Sequence, residues 1–527
     1  MSRSTREMKK QRLEAAHRRR RIIFNSDAGD TDPRELKVAE PERYLASRKT
    51  GLVGSSVDSI FYSTDQGFSY YAHYSEVSDI AFSANPVIRE LIDQGLDPLQ
   101  ITVEFCRSHD IEIFWSFRTN DPHDSWTEQG PLSRFKKEHP EYLFATREKP
   151  APATVGLWTG VDYALPEVRE HVFAILQDIC SRYDLDGIEW DFFRMLTNFK
   201  SLAWGKPVSD EERQAMTELL RRVRTMTDEI AEKRQRPMLI AARVPDSVGY
   251  ADALGLDLIT WLKQDLIDIM VVGGYFWLQR WERSVELGHE YGIPVYPSLD
   301  SSRVGVSPTS IGYQDDHQAI ESLVVRRSDE AYQAHALGAW NAGADGIYLF
   351  NYNYKHPPTD RMWTDLGDPE KLSTLDKIYH VSVMGRGHDS LESYLPWGLG
   401  ERFLHMPTIC PDHPMELIER DPIVTTITVG DDLAGAAMKG LQAEVRLNVQ
   451  IVNPPESLTV KLNGQVLRGV PLTWKSEKPE TWREYAVNSE NVNLGENNLQ
   501  LAVTSDVSPE APCVCHDVHL RINYLPA

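Results

Sequence analysis

PEVREHVFAILQDICSRYDLDGIEWDFFR, residues 166–194, holds a helix and a strand in one continuous stretch. Pro166 stands where the first turn of a helix tolerates a missing N–H. Val168, Val172, Ile175, Leu176, Ile179 and Tyr183 then recur at the spacing of one buried helical face. DGIEWDF (186–192) switches to a period of two, with Glu189 and Asp191 on one side and Ile188, Trp190 and Phe192 on the other. The apolar side suits a layer of covering helices, so the two acids are predicted to face the interior of a barrel.

The same alternation runs outward in both directions. Strands are predicted at RIIFNSD (21–27), DSIFYSTD (58–65) and IEIFWSFRTND (111–121) before the opening stretch. MLIAARVP (238–245), IDIMVVGGYF (267–276), IPVYPSLD (293–300) and DGIYLFNYN (345–353) follow it. Ser209 and Glu212 form a capping-box pattern at the start of one intervening helix, and Gly343 closes the helix carrying Ala334, Leu337 and Trp340. Eight strands alternating with helices predict a (β/α)8 TIM barrel over 20–385. An open doubly wound sheet is the alternative, but no GxGxxG turn follows the first strand. Beyond about residue 400 helical patterns disappear. EVRLNVQI (444–451), NNLQLAV and DVHLRINY alternate strictly, and Asn463-Gly464 marks a hairpin. Residues 418–527 are therefore predicted to form a small antiparallel β-sandwich, with 386–417 as a linker.

Composition excludes several classes. The chain has 527 residues and a net charge of −22, so its body should repel nucleic acid and anionic membranes. No apolar run approaches the ~20 residues of a membrane span. The segment before the first strand carries Arg18 to Arg21 but no apolar core of a secretory leader, and 1–19 is predicted to be a basic flexible arm. Five scattered cysteines fit free thiols in a reducing compartment, so a cytoplasmic location is expected.

A barrel of this kind places its chemistry at the C-terminal ends of the strands. Two neighbouring buried carboxylates are costly unless paired, and one of them should have a raised pKa. Arg118 and Arg243 are the arginines that could balance them in a purely structural arrangement. The other strand ends add Asp65, Asn120, Asp121, Asp246, Tyr275, Trp277 and Asn351, and Arg194 closes the opening stretch. Acids, guanidiniums, amides and aromatics suit sugar hydroxyls and ring faces. His123 between Asp121 and Asp124 is weak as a metal site, since no second histidine stands nearby, and no cofactor is expected. Residues i and i+2 of one strand are only ~6.6 Å apart and approach a scissile bond from the same side. One of the pair should therefore work with Asp121 or Asp246, and Asp65 is the third choice.

The stretch 166–194 resembles the signature region of bacterial glycosyl-hydrolase-like barrel proteins, in which a helix leads into a YD-x-DGI-x-x-D strand. The resemblance implies a (β/α)8 barrel, often followed by a β-sandwich, and carbohydrate hydrolysis. IEWDFFR also resembles the nucleophile strand of the retaining α-galactosidase and α-glucosidase clan, which makes Asp191 the implied nucleophile. The acid/base motif of that clan has no match in VVGGYFWLQRWE. A glycoside hydrolase acting on an oligosaccharide or glycoside is thus expected, with catalytic candidates Asp191, Glu189, Asp121 and Asp246. Arg118, Asn120, Arg194, Arg243, Asp65, Tyr275, Trp277 and Asn351 are the expected substrate contacts. A non-catalytic carbohydrate-binding barrel is one alternative. A sugar isomerase or lyase is another, needing a metal or a lysine base, and no lysine stands at a strand end inside the barrel.

Overall fold

All eight barrel strands occur where the alternation predicts them in the computed structural model. It describes residues 3–26, 36–64, 67–80, 86–125, 132–152, 158–274, 276–299, 324–350, 352, 359–382, 401–411, 413–476, 479–505 and 508–525. They are β1 (Ile22–Ser26), β2 (Val57–Tyr62), β3 (Glu112–Arg118) and β4 (Gly187–Asp191). β5 (Leu239–Val244), β6 (Ile269–Val272), β7 (Val295–Pro297) and β8 (Ile347–Phe350) complete the set. Every neighbour pair is parallel and the order follows the chain, with β8 beside β1. A bridge between Ser298 and Tyr348 brings β7 to β8, so the sheet closes on itself. Gly187 is required by this closure: a Cβ there would collide with the Phe114 ring that fills the inner layer.

Helices cover the outside. The opening helix is α2 (Pro166–Arg182), and its predicted apolar face is buried. Next along the chain, α3 (Asp210–Arg234) starts with the Ser209–Glu212 capping box, and α4 (Asp329–Asn341) ends before Gly343 in the left-handed region at φ +85°.

Residues 3–16 are not a flexible arm; they form α1 (Arg3–Ala16), which packs against α3. The basic residues read as solvated meet acids beneath the barrel. Arg12 reaches Asp265 at 2.5 Å and Asp268 at 3.5 Å, and Arg20 grips Glu112 with two bonds of 2.6 and 2.9 Å. Arg20 is fully buried and its NH1 also donates to the Ala16 carbonyl, so it ties α1 to the start of β3.

The β-rich part begins earlier than expected. β9 (Lys377–His380) lies within the predicted barrel range yet pairs with β15 (Val514–Tyr524) in a sandwich sheet. Of the expected linker, 386–400 lies outside the described residues. Between them come β10 (Ile423–Val429), β11 (Ala443–Val452), β12 (Thr459–Leu462), β13 (Trp482–Val487) and β14 (Gly495–Ala502). One antiparallel sheet contains β9, β15, β11 and β13, and the other β10, β14 and β12. A short helix, Leu433–Met438, interrupts the all-β pattern. Asn463 and Gly464 have positive φ, as the hairpin signal requires. Val445, Leu447, Val449 and Ile451 face the sandwich core. The opposite side of β11 is not solvated: Asn448 and Gln450 are buried, as are Asp517 and His519 beside them on β15. Two buried ion pairs reinforce this region, Arg326 Nε to Asp517 at 3.1 Å and Lys377 to Asp431 at 3.0 Å.

Candidate active site

β4 presents Glu189 and Asp191 to the barrel interior, and the two side chains have opposite surroundings. Glu189 is fully buried among neutral donors from three other strands. Asn25 Nδ2 (β1) donates at 3.1 Å, the Tyr348 hydroxyl (β8) at 2.8 Å, and the Ser116 hydroxyl (β3) also donates. Burial and then the charge of Asp191 push the Glu189 carboxyl up to about 7, against the pull of the Ser116 and Tyr348 hydrogen bonds and of Arg243. Asp191 instead receives charge and backbone dipoles. Its Oδ1 accepts from the backbone N–H of Phe193 (3.0 Å) and Arg194 (2.8 Å), and its Oδ2 lies 3.3 Å from Arg243 NH1. These are the partners of an ionised carboxylate. Arg243 is itself held from β5, with its guanidinium 4.2 Å from the Phe350 ring centroid and NH2 at 3.5 Å from Ser298 Oγ.

Asp246, just beyond β5, is the second carboxyl of interest. Burial pushes it up to about 7, opposed only by backbone hydrogen bonds. Its Oδ2 accepts from the N–H groups of Leu278 (2.8 Å) and Gln279 (3.0 Å), which anchors the loop after β6. Its Oδ1 is buried and has no hydrogen-bond partner.

Asp121 does not fit the acid/base role assigned to it. Burial opposes its ionisation, but His123, then Arg118 and Arg194, outweigh this and hold its carboxyl well below the usual carboxylate range. Arg118 NH1 bonds Asp121 Oδ2 at 3.0 Å, and Asp121 Oδ1 accepts from the His123 backbone N–H at 2.8 Å. Such a group has no proton to give near neutral pH. Arg118 and Arg194 therefore serve this ion network, Arg194 through the His123 ring. Asp124 meets Lys136 Nζ at 2.9 Å, so the His123 neighbourhood is already neutralised. No group of three or more metal-ligating side chains occurs among the described residues.

Three further expectations need correction. The Asn120 amide ties two loops together, donating to the Val161 and Thr197 carbonyls (2.9 and 3.0 Å) and accepting from Val161 N (2.8 Å). Both its donors are used and the residue is buried, so it holds the loops rather than facing substrate. Arg243 sits beneath Asp191 and is fully buried, so it pairs with the acid rather than with substrate. Trp277 packs on the barrel's outer helices, its ring 4.2 Å from Trp281 and 5.3 Å from His335, and lines a crevice shared with sandwich residues. Asp65, Tyr275 and Asn351 lie outside the described residues. Asn25, Ser116 and Tyr348 are the polar partners that the candidate set lacks. The signal for them is a polar residue in phase with the inward face of its own strand, as Asn25 is in IIFNS.

Residues 69–211, which include β3 and β4, match the family model described as glycosyl hydrolase-like 10. No curated protein matches the chain. Among solved structures, α-L-fucosidase isoenzyme 2 from Paenibacillus thiaminolyticus is similar at 13% identity and TM-score 0.38, over 68% of this chain and 49% of that one. This chain thus spans about half the length of that protein. The PgaB (BpsB) glycoside hydrolase domain from Bordetella bronchiseptica is similar at 12% identity and TM-score 0.38, covering 67% and 99%. An α-amylase from Anoxybacillus is similar at 11% identity and TM-score 0.37, covering 94% and 99%.

Proposed function

We propose that this chain is a glycoside hydrolase acting on an oligosaccharide or glycoside at the C-terminal mouth of the barrel. Asp191 is its nucleophile or charge-stabilising carboxylate, and Asp246 its proton donor. One observation carries the reading: two carboxyls at the ends of adjacent strands lie in opposed environments. Asp191 is surrounded by donors and a guanidinium, whereas burial pushes Asp246 up to about 7 and leaves one oxygen unpartnered. Such a divergence is how one site carries an acid and a charged partner at one pH. Protonated Asp246 would deliver its proton to the glycosidic oxygen as the C–O bond breaks, then recover one from the incoming water. Glu189 is a positioning residue in this scheme. All its partners are barrel side chains, and burial favours its neutral form beside Asp191.

The glycosyl hydrolase-like match over the segment containing β4 supports the reaction class. Five buried cysteines, none of them disulfide-bonded, support a cytoplasmic setting as part of the same proposal. A non-catalytic carbohydrate-binding barrel is the second reading, favoured by the burial of Glu189 and Asp191 to 0 and 1% exposure.

Asp246→Asn separates the two readings, because the amide oxygen can still accept from Leu278 and Gln279 while the transferable proton is gone. Hydrolysis of glycosides with poor leaving groups should fall by about 10²–10⁴-fold, and activated aryl glycosides should lose far less. Equal losses for both leaving groups would remove Asp246 from the acid role. Sugar binding without turnover of any glycoside by the parent protein would favour the binding barrel.

A further inference from the structure

Trp277, expected at the barrel mouth, lines a different feature. A crevice of about 90 Å³ lies between the loop after β6, helix α4 and the sandwich strands β9 and β10. Trp277, Trp281, His335, His380, Thr426 and Gly338 contribute to its walls. Trp277 is half-buried and fixed edge-on between Trp281 and His335, so an aromatic surface is held ready at the opening. Behind that surface the polar atoms are unsatisfied. Trp281 Nε1, both ring nitrogens of His335 and His380 Nε2 are buried without a hydrogen-bond partner. Buried donors and acceptors in native proteins nearly always have one, so orphans on three residues around one crevice call for an occupant. Burial and the neighbouring Arg326 keep His335 neutral, down to about 4, and the same causes hold His380 well below its ordinary value. A neutral imidazole offers one N–H and one lone pair, and the indole adds a further N–H.

We infer that this crevice is a second ligand site, separate from the β4 carboxylates, which takes an uncharged polyhydroxylated ring such as a single sugar residue. Aromatic faces pack against the C–H faces of such a ring, and its hydroxyls both donate and accept, as neutral imidazoles and an indole require. A charged ligand fits less well, because the wall's two charged residues, Arg280 and Glu282, pair with each other and Arg280 also with Glu496, and no charged side chain is among the orphaned groups. The crevice is distinct from the β4 carboxylates, although its Trp277 and Arg280 flank Leu278 and Gln279, whose N–H groups hold Asp246.

Gly338 provides a clean test. It lies on α4 within the crevice wall, and a Cβ placed there meets nothing within 4 Å. Gly338→Leu therefore fills the space without removing any contact and suits a helix better than glycine. Trp277→Ala removes the aromatic platform. The probe is a set of neutral methyl hexopyranosides, read by saturation-transfer NMR on the full chain, with melting temperatures recorded for each variant. The expected result is a signal for at least one glycoside with the parent protein, weakened in both folded variants, with any glycoside hydrolysis unchanged in Gly338→Leu. A signal undiminished in both variants places sugar binding elsewhere and overturns the proposal. So does the absence of any signal from the parent protein, even if the barrel hydrolyses glycosides. A weakened signal in the variants of a protein that hydrolyses nothing would uphold the crevice and sink the barrel chemistry instead.

Discussion

At the scale of single residues, Glu189 makes the sharpest claim. Its carboxyl is raised from 4.5 to about 7, chiefly by burial and then by Asp191. The folded state thus favours the neutral form. That contribution to stability is complete below about pH 4.5 and is lost as pH rises through about 7. Glu189→Gln removes the titration, so the stability difference between variant and parent should grow in the variant's favour over this window, by up to about 3 kcal/mol. Denaturant unfolding of both proteins at pH 5 and pH 8 measures it. A difference that does not change with pH would mean that Glu189 ionises without penalty. Asp246 titrates in the same direction and the buried histidines in the opposite one, but both contributions cancel in the comparison. Period-two phasing alone places Glu189 and Asp191 on one inward face. It could not reveal that Asp121 is captured by Arg118 and His123, because that network depends on how a loop folds back after β3.

The elements themselves were largely legible. Apolar alternation located all eight barrel strands, because strands buried on both sides leave a strong hydrophobic signature. The N-terminal helix was hidden by its charge. EMKKQRLEAAHRRRR reads as solvated until the acids beneath the barrel are known to face it. Arg20 then becomes a test of the element: Arg20→Ala would leave Glu112, only 4% exposed, without its cation. Breaking a buried pair from one side costs about 3–5 kcal/mol, and Arg20→Lys should recover little because the bidentate geometry is lost. Chemical denaturation of the two variants reads both numbers. A cost below about 1 kcal/mol would return the segment to a loosely attached arm.

For the whole molecule, sequence suggested two separable units, and the structure joins them. β9 leaves the barrel side of the connection and enters the sandwich sheet, and Lys377–Asp431 and Arg326–Asp517 are buried where the parts meet. Local periodicity cannot see this, because each unit keeps its own regular pattern whatever packs against it. Ending the chain near residue 400 would strand β9 without β15 and leave Lys377 and Arg326 without their acids. Such a fragment should aggregate or melt well below the full chain, and the full chain should unfold in one calorimetric transition. A soluble fragment with parental melting behaviour would show the parts to be autonomous. All five cysteines are buried and none is disulfide-bonded, so thiol titration in denaturant should return five.

The central claim is that Asp191 carries chemistry rather than only an ion pair with Arg243. Its most direct test is hydrolysis of an activated aryl glycoside by Asp191→Ala, with and without added azide, alongside the variant's melting temperature. The account predicts a folded protein with activity lowered by about 10³-fold or more, partly restored when azide enters the space left by the carboxylate. An Asp191→Ala variant that hydrolyses the glycoside at the parental rate would contradict it. So would one that unfolds, because Asp191 would then be a structural partner of Arg243.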